Sequence, residues 1–314
     1  MPAPRLTGLI AAAYTPLDEL GKVNRRAIHA MTEHLVRDGV DGLYVCGSTG
    51  EGMSLSSAER REVAEGYVAA VGRRMPVVIQ VGHNSLAEAW ELARHAESIG
   101  VDAVSATCPS YFPINSVETL VDCMADIAVG APNLPFYYYH IPALTHSQLD
   151  MVEFLRAAAK RIPNLAGIKY TAPTTHEFQA CMSLDDGRFD VVWGCDEMLL
   201  PALAVGSAGA IGSTYNIAAP LYRSLISAFE RHDLVEARHL QMRSIELIRA
   251  LGAFPFHSAM KATLRLLGID CGVCRLPQQP LTDQQVAALR DRLSAIGFFE
   301  WRESISHESG VSAT

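Results

Sequence analysis

Lysine is scarce in this chain. Among 314 residues there are four, Lys22, Lys160, Lys169 and Lys261. No basic cluster interrupts a net charge of −8, which excludes a polyanion footprint and argues for no nucleic-acid partner. No apolar run approaches the length of a membrane span, so no membrane association is expected. The opening "MPAPRLTGLIAAAYTPLDE" has a short apolar run broken by Thr7, Tyr14 and Pro16, which does not read as a signal peptide. A cytoplasmic protein is the expectation. The seven cysteines are scattered and odd in number, as in a reduced intracellular chain. Cys271 and Cys274 form a lone CxxC, with neither a second CxxC nor a histidine cluster to complete a zinc site. No metal is expected.

What is present is a repeating order of short apolar run, loop and amphipathic helix. The runs begin with "GLIAAAYTP" (8 to 16), "GLYVCG" (42 to 47), "PVVIQVG" (76 to 82) and "AVSATCP" (103 to 109). They continue with "LPFYYYHIP" (134 to 142), "LAGIKYT" (165 to 171), "VVWGCDE" (191 to 197) and "GAIGSTYN" (209 to 216). Helical patterns fall between them. One starts at Asn24, and another follows Ser56 or Ser57, with Glu59 in its first turn. Further helical stretches are read over 86 to 99, 116 to 129, 147 to 160, 174 to 183, 198 to 206 and 218 to 231. Near-continuous apolar strands alternating with helices imply a parallel sheet covered on both faces. Eight such units predict an α/β fold, a (β/α)₈ TIM barrel. An open doubly wound sheet usually places a Gly-rich phosphate turn after its first strand, and here that position reads "AAAYTPLDE". The barrel is assigned to residues 1–232. Helical patterns at about 234 to 251, 257 to 268 and 282 to 296 make 233–299 a C-terminal helical extension. The polar stretch 300–314 is expected to be a frayed tail.

In such a barrel, chemistry sits where strands end and loops begin. Lys169 is the one lysine inside a predicted strand; Lys22 is in a turn, Lys160 closes a helix and Lys261 lies on an extension helix. A buried ammonium costs several kcal/mol unless paired or deprotonated. The plain reading is a lysine that snorkels or pairs with a carboxylate. The reading preferred here is a desolvated amine that attacks a carbonyl and forms a Schiff base. "GSTGEG", residues 47 to 52, offers hydroxyls and backbone amides for an anion, though such runs are also ordinary turn material. In "YYYHIPALT", alternation places Tyr139 opposite in sense to Tyr138, making Tyr139 a candidate proton carrier and otherwise strand filler. Asp196 and Glu197 could bind substrate hydroxyls or simply begin a helix. His83 and His140 lie near strand ends and are read as structural.

Taken in order, "GSTGEG", "YYYHIPALT", "GIKYT", "GCDE" and "GAIGSTYN" make the chain resemble the N-acetylneuraminate lyase and dihydrodipicolinate synthase superfamily from about Leu6 to Pro280. The closer resemblance is to the N-acetylneuraminate lyase branch. That resemblance implies a class I aldolase that cleaves N-acetylneuraminate reversibly to N-acetylmannosamine and pyruvate. It implies Lys169 as the Schiff-base lysine, Tyr139 as proton relay, and Ser48 and Thr49 as carboxylate ligands. Thr171 would position the reacting hydroxyl, and Gly194, Asp196, Glu197 and Ser213 would bind the sugar tail. Tyr111 of "PSYFP" resembles an aromatic residue placed near a neighbouring subunit's site, within a homotetramer. No metal and no dissociable cofactor are implied; the substrate is a small 2-keto acid. Dihydrodipicolinate synthases usually carry an arginine where this chain has Leu144, and a leucine cannot grip a carboxylate bidentately. His140 stands where many bacterial lyases have asparagine, and Ser110 where they often have an aromatic. The alternatives are another pyruvate-dependent aldolase, hydratase or synthase of the superfamily, or a non-catalytic sugar-acid-binding barrel.

Overall fold

A computed structural model describes residues 5–308. Eight strands carry the fold: β1 (Gly8–Ala12), β2 (Gly42–Val45), β3 (Val77–Gln80), β4 (Ala103–Ala106), β5 (Phe136–His140), β6 (Leu165–Tyr170), β7 (Asp190–Trp193) and β8 (Gly209–Gly212). Each pairs in parallel with the next, and β8 returns to β1 through Gly8↔Gly209 and Leu9↔Ala210, closing the barrel. The predicted TIM barrel is the observed one.

The apolar runs are continuous because each strand is buried on both faces. One face fills the barrel with Ile10, Ala12, Tyr44, Val78, Tyr137, Tyr139, Val192 and Ile211. The alternate residues, among them Leu9, Ala11, Leu43, Val45, Tyr138, Ile168 and Trp193, face the helices. The period-2 rule thus sorts every run into an inner and an outer set. The strands are shorter than the apolar runs predict. Ala13 and Tyr14 remain buried, yet the sheet has ended at Ala12. Burial continues into the mouth after strand pairing stops.

Polar side chains start the helices as expected. Asn24 accepts from the Ala27 amide ahead of helix Arg25–Arg37. Ser56 and Glu59 form a reciprocal capping box on helix Ser57–Val71. The stretch read as helical over 147 to 160 forms Met151–Ala158, capped by Asp150 and preceded by the short turn Pro142–Thr145. The last barrel helix begins earlier than predicted, at Tyr215, and is interrupted at Ala218 (φ −142°) just before Pro220. Proline lacks the amide and crowds the preceding turn, which explains the break.

Helix Leu234–Leu251 packs on helix Tyr215–Glu230, and helices Phe256–Leu266 and Asp283–Ala295 follow. The expectation of a frayed tail from Glu300 needs correction as far as Glu308. Residues Phe298–Glu308 form a further helix. Trp301 is buried, and the Arg302 guanidinium donates to the Ile217 carbonyl at 2.9 Å and to Asp38 at 2.5 Å. Two anchors from a polar-looking stretch order it against the barrel. The remainder of that predicted tail, 309–314, lies outside the described residues.

Candidate active site

β6 turns Lys169 into the barrel at its C-terminal end. The side chain is 4% exposed, and its Nζ lies 3.9 Å from the centre of the Tyr139 ring and 4.0 Å from that of Tyr44. The two rings meet edge to face at 5.7 Å. Among the described residues no carboxylate lies within 4.0 Å of the ammonium. Burial therefore dominates and lowers the amine from its ordinary value near 10.5 to about 7, with Asp196 opposing the shift at longer range. Near neutral pH a large share of this amine is an uncharged nucleophile.

Tyr139 is its neighbour across the β5–β6 ladder, in register with Lys169. Burial pushes its phenol up to about 12, and the hydroxyls of Ser48 and Thr171 temper the rise. A phenol held protonated beside an amine can hand a proton over and take it back. The Oγ1 of Thr171 is buried beside the Tyr139 phenol and has no other hydrogen-bond partner among the described residues. Its room comes from Gly194, where a Cβ would stand 2.0 Å from that oxygen. Tyr44 was not singled out in the sequence. Its parity in "GLYVCG" was the available signal, because β2 is buried on both faces and Tyr44 lies in the inward set. Its hydroxyl donates to Ser105 Oγ at 3.1 Å, which holds the ring beneath the lysine.

The 47 to 52 loop lies beside this amine. The amides of Ser48, Thr49 and Gly50 make no hydrogen bonds among the described residues, which leaves a short row of donors for an anion. The loop is bracketed by two non-glycine residues in the left-handed region, Cys46 (φ 60°) and Glu51 (φ 56°). Its closure admits no side chain at Gly52, where a Cβ would stand 1.9 Å from the Cys46 carbonyl oxygen. Thr15 Oγ1 donates to the Gly50 carbonyl at 2.6 Å. Thr49 and Ser213 hydroxyls are hydrogen-bonded at 2.6 Å. The structure thus joins two residues that the resemblance places at opposite ends of a substrate.

Asp196 is buried, and its Oδ2 accepts from the Thr214 amide at 2.8 Å and the Thr214 hydroxyl at 2.5 Å. Burial raises its carboxyl to about 6, against those bonds. Behind it, Thr214, Tyr222 and Ser244 hydroxyls form a chain at 2.6 and 2.9 Å, and Ser244 and Gln241 both donate to the Asp196 carbonyl at 3.3 Å. Glu197 is exposed at the rim. Tyr111 is not brought to this site within its own chain. It is 79% exposed, packed edge to face on the equally exposed Phe112. Asn84 Oδ1 holds that loop by accepting from the Ser110 and Tyr111 amides. Leu144 is exposed, on the turn following β5. His140 is buried among Tyr138 and Tyr170, facing the helices, and burial lowers it to about 4. Cys271 and Cys274 are buried free thiols. Among the described residues, no group of three or more His, Cys, Asp or Glu could hold a metal ion, and no helix is long and apolar enough to cross a membrane.

A closed parallel barrel with a desolvated lysine at its mouth, a phenol beside it and an anion seat adjoining it has the layout of a lysine-dependent lyase. The dihydrodipicolinate synthetase family matches residues 5–296, and the chain belongs to that family. Within it, the N-acetylneuraminate lyase of Rattus norvegicus is 37% identical over 305 residues, covering 96% of this chain and 95% of the relative. The solved structure of Proteus mirabilis N-acetylneuraminate lyase superposes with a TM-score of 0.91 at 40% identity, covering 94% of this chain and all of that one. That of Aliivibrio salmonicida N-acetylneuraminate lyase (sialic acid aldolase) gives 0.91 at 42% identity, covering 94% and 98%.

Proposed function

We propose that the chain is a class I aldolase that cleaves N-acetylneuraminate reversibly to N-acetylmannosamine and pyruvate. The observation that carries this reading is Lys169. It is a buried amine without a carboxylate partner among the described residues, lowered to about 7, between two tyrosine rings and beside an anion seat. The names of the relatives support the choice of substrate.

The open-chain 2-keto acid enters with its carboxylate on Ser48, Thr49 and the adjoining amides. The Lys169 amine adds to the C2 ketone, and loss of water gives a protonated imine. Tyr139 relays the proton leaving the C4 hydroxyl, which Thr171 orients. The C3–C4 bond breaks, its electron pair moves into the imine, and N-acetylmannosamine departs as the aldehyde. The enamine is then protonated at C3, and water hydrolyses the imine to release pyruvate and the free amine. The imine is the electron sink, so the scheme uses neither a metal nor a dissociable cofactor. Gly194, Asp196, Glu197 and Ser213 would bind the polyhydroxyl tail. Asp196, with one oxygen committed to Thr214, would orient a substrate hydroxyl with the other. Leu144 offers no charge to a second carboxylate, which supports a sugar acid over aspartate semialdehyde. We assign Tyr111, exposed with Phe112, to the site of a neighbouring subunit in a homotetramer, and the protein to the cytoplasm.

Sodium borohydride reduction with pyruvate, followed by peptide mass spectrometry, tests the mechanism. The expected result is one pyruvate-derived addition on the peptide containing Lys169. A folded protein that gains no such mass overturns the reading. Release of pyruvate from N-acetylneuraminate tests the substrate.

A further inference from the structure

The anion seat rests on a second buried lysine from outside the barrel. Lys261, on helix Phe256–Leu266, is 2% exposed, and its Nζ lies 2.8 Å from Glu51 Oε1. The Glu51 side chain is fully buried. Lys261 also donates to the carbonyls of Thr15 and Val273, both at 2.9 Å. Glu51 Oε2 accepts from the Arg275 amide at 2.7 Å. The Arg275 guanidinium in turn grips Glu59 with two bonds at 2.8 Å and donates to the carbonyls of Ser54 and Gly21.

Three links of this knot reach the loop that carries Ser48 and Thr49, two directly at Glu51 and one through Thr15. Glu51 donates its amide to the Ser48 carbonyl at 3.1 Å. It holds the left-handed backbone that closes the turn. Thr15, whose carbonyl Lys261 binds, fixes the Gly50 carbonyl through its hydroxyl. Glu51 is also a negative charge inside a loop meant for an anion, and left uncompensated it would repel one.

We propose that the Glu51–Lys261 pair is a positioning device for the pyruvate carboxylate. The extension supplies the cation that both locks the seat's backbone and cancels the one carboxylate behind it. This rests on the aldolase reading above and adds the residues that set affinity for the keto acid. It separates the two substrates of the condensation direction. Pyruvate uses the seat, whereas the aminosugar aldehyde binds toward Asp196 and Glu197.

The test is steady-state condensation kinetics on Lys261→Met, Lys261→Arg and Glu51→Gln, alongside borohydride trapping of pyruvate on the unmodified protein. In Lys261→Met the KM for pyruvate should rise about tenfold or more, the scale of a sub-ångström shift in a bound group. The KM for N-acetylmannosamine should stay within about twofold, and saturating pyruvate should still label Lys169. Glu51→Gln, which loosens the turn but removes the repelling charge, should raise the pyruvate KM less, and Lys261→Arg should recover part of the loss. A pyruvate KM unchanged in folded variants, or rising equally with that of the sugar, overturns the proposal. If Lys261→Met does not fold, Arg275→Ala carries the test. Its side chain is partly exposed, and the same selective rise is expected, with no change counting against the device. Unmodified protein that fails to trap pyruvate overturns the aldolase reading and this inference with it. Trapping with unaltered pyruvate KM in the variants overturns the inference alone.

Discussion

Lys169 and Lys261 are buried to almost the same degree, yet their surroundings differ in kind. Lys261 meets a carboxylate and two carbonyl oxygens. Lys169 meets the faces of two aromatic rings and, among the described residues, no carboxylate within ion-pairing distance. Burial alone therefore does not make a nucleophile. A desolvated amine held by a carboxylate and two carbonyls serves as a clasp, while one whose charge is poorly matched loses its proton and can react. One barrel wall and one helical extension thus use the same residue for opposite ends.

The sharpest way to break the comparison is to exchange the charges one at a time. Lys169→Met should abolish aldol cleavage and borohydride trapping, because it removes the amine that forms the imine. Its folding should be unharmed or improved, since a buried, poorly paired cation is removed. Retained trapping would place the reactive amine elsewhere. Tyr139→Phe should lower kcat by about 10²–10⁴-fold while leaving pyruvate trapping detectable, as expected for a lost proton relay. A kcat close to that of the unmodified protein would return Tyr139 to strand filler.

Lys261→Met should do the reverse of Lys169→Met. It strands the Glu51 carboxylate in the interior and should cost about 3–5 kcal/mol of stability by denaturant titration. Joining it to Glu51→Gln should restore much of that loss. Equal stability of the Lys261→Met protein and the unmodified protein would mean the pair is not the clasp described.

The smallest expected effect is in pH. The Lys169 amine falls from about 10.5 unfolded to about 7 folded, so the unfolded chain binds more protons between those values. Its destabilising contribution is fully present below about pH 7 and disappears as pH rises toward 10.5. The stability difference between Lys169→Met and the unmodified protein should therefore shrink over that window. In the same sense, imine formation should slow as pH falls below about 7. A difference independent of pH would sink the desolvation argument for this amine.

Much of this was legible in the chain because its signals are local. Asn24, and Ser56 with Glu59, cap the helices they precede, and alternation sorted Tyr139 from Tyr138. Other features depend on residues far apart in sequence. Tyr44 reads as one more aromatic in a strand until the closed barrel carries it under Lys169. The hydrogen bond between Thr49 and Ser213 forms only because β8 and the β2 loop bring two hydroxyls 164 residues apart to 2.6 Å. The stretch from Glu300 looks polar because Arg302 finds its partners, Ile217 and Asp38, 85 and 264 residues away.

The order of apolar runs, caps and polar strand ends by itself determined an eight-unit parallel barrel and put one lysine inside a strand, since pairing period and capping act over a few residues. Only the tertiary structure decided which buried lysine is left without a carboxylate. That choice depends on which side chains converge when the barrel closes and the extension folds over it, and electrostatics in a dry interior is set by those neighbours rather than by the sequence around the charge.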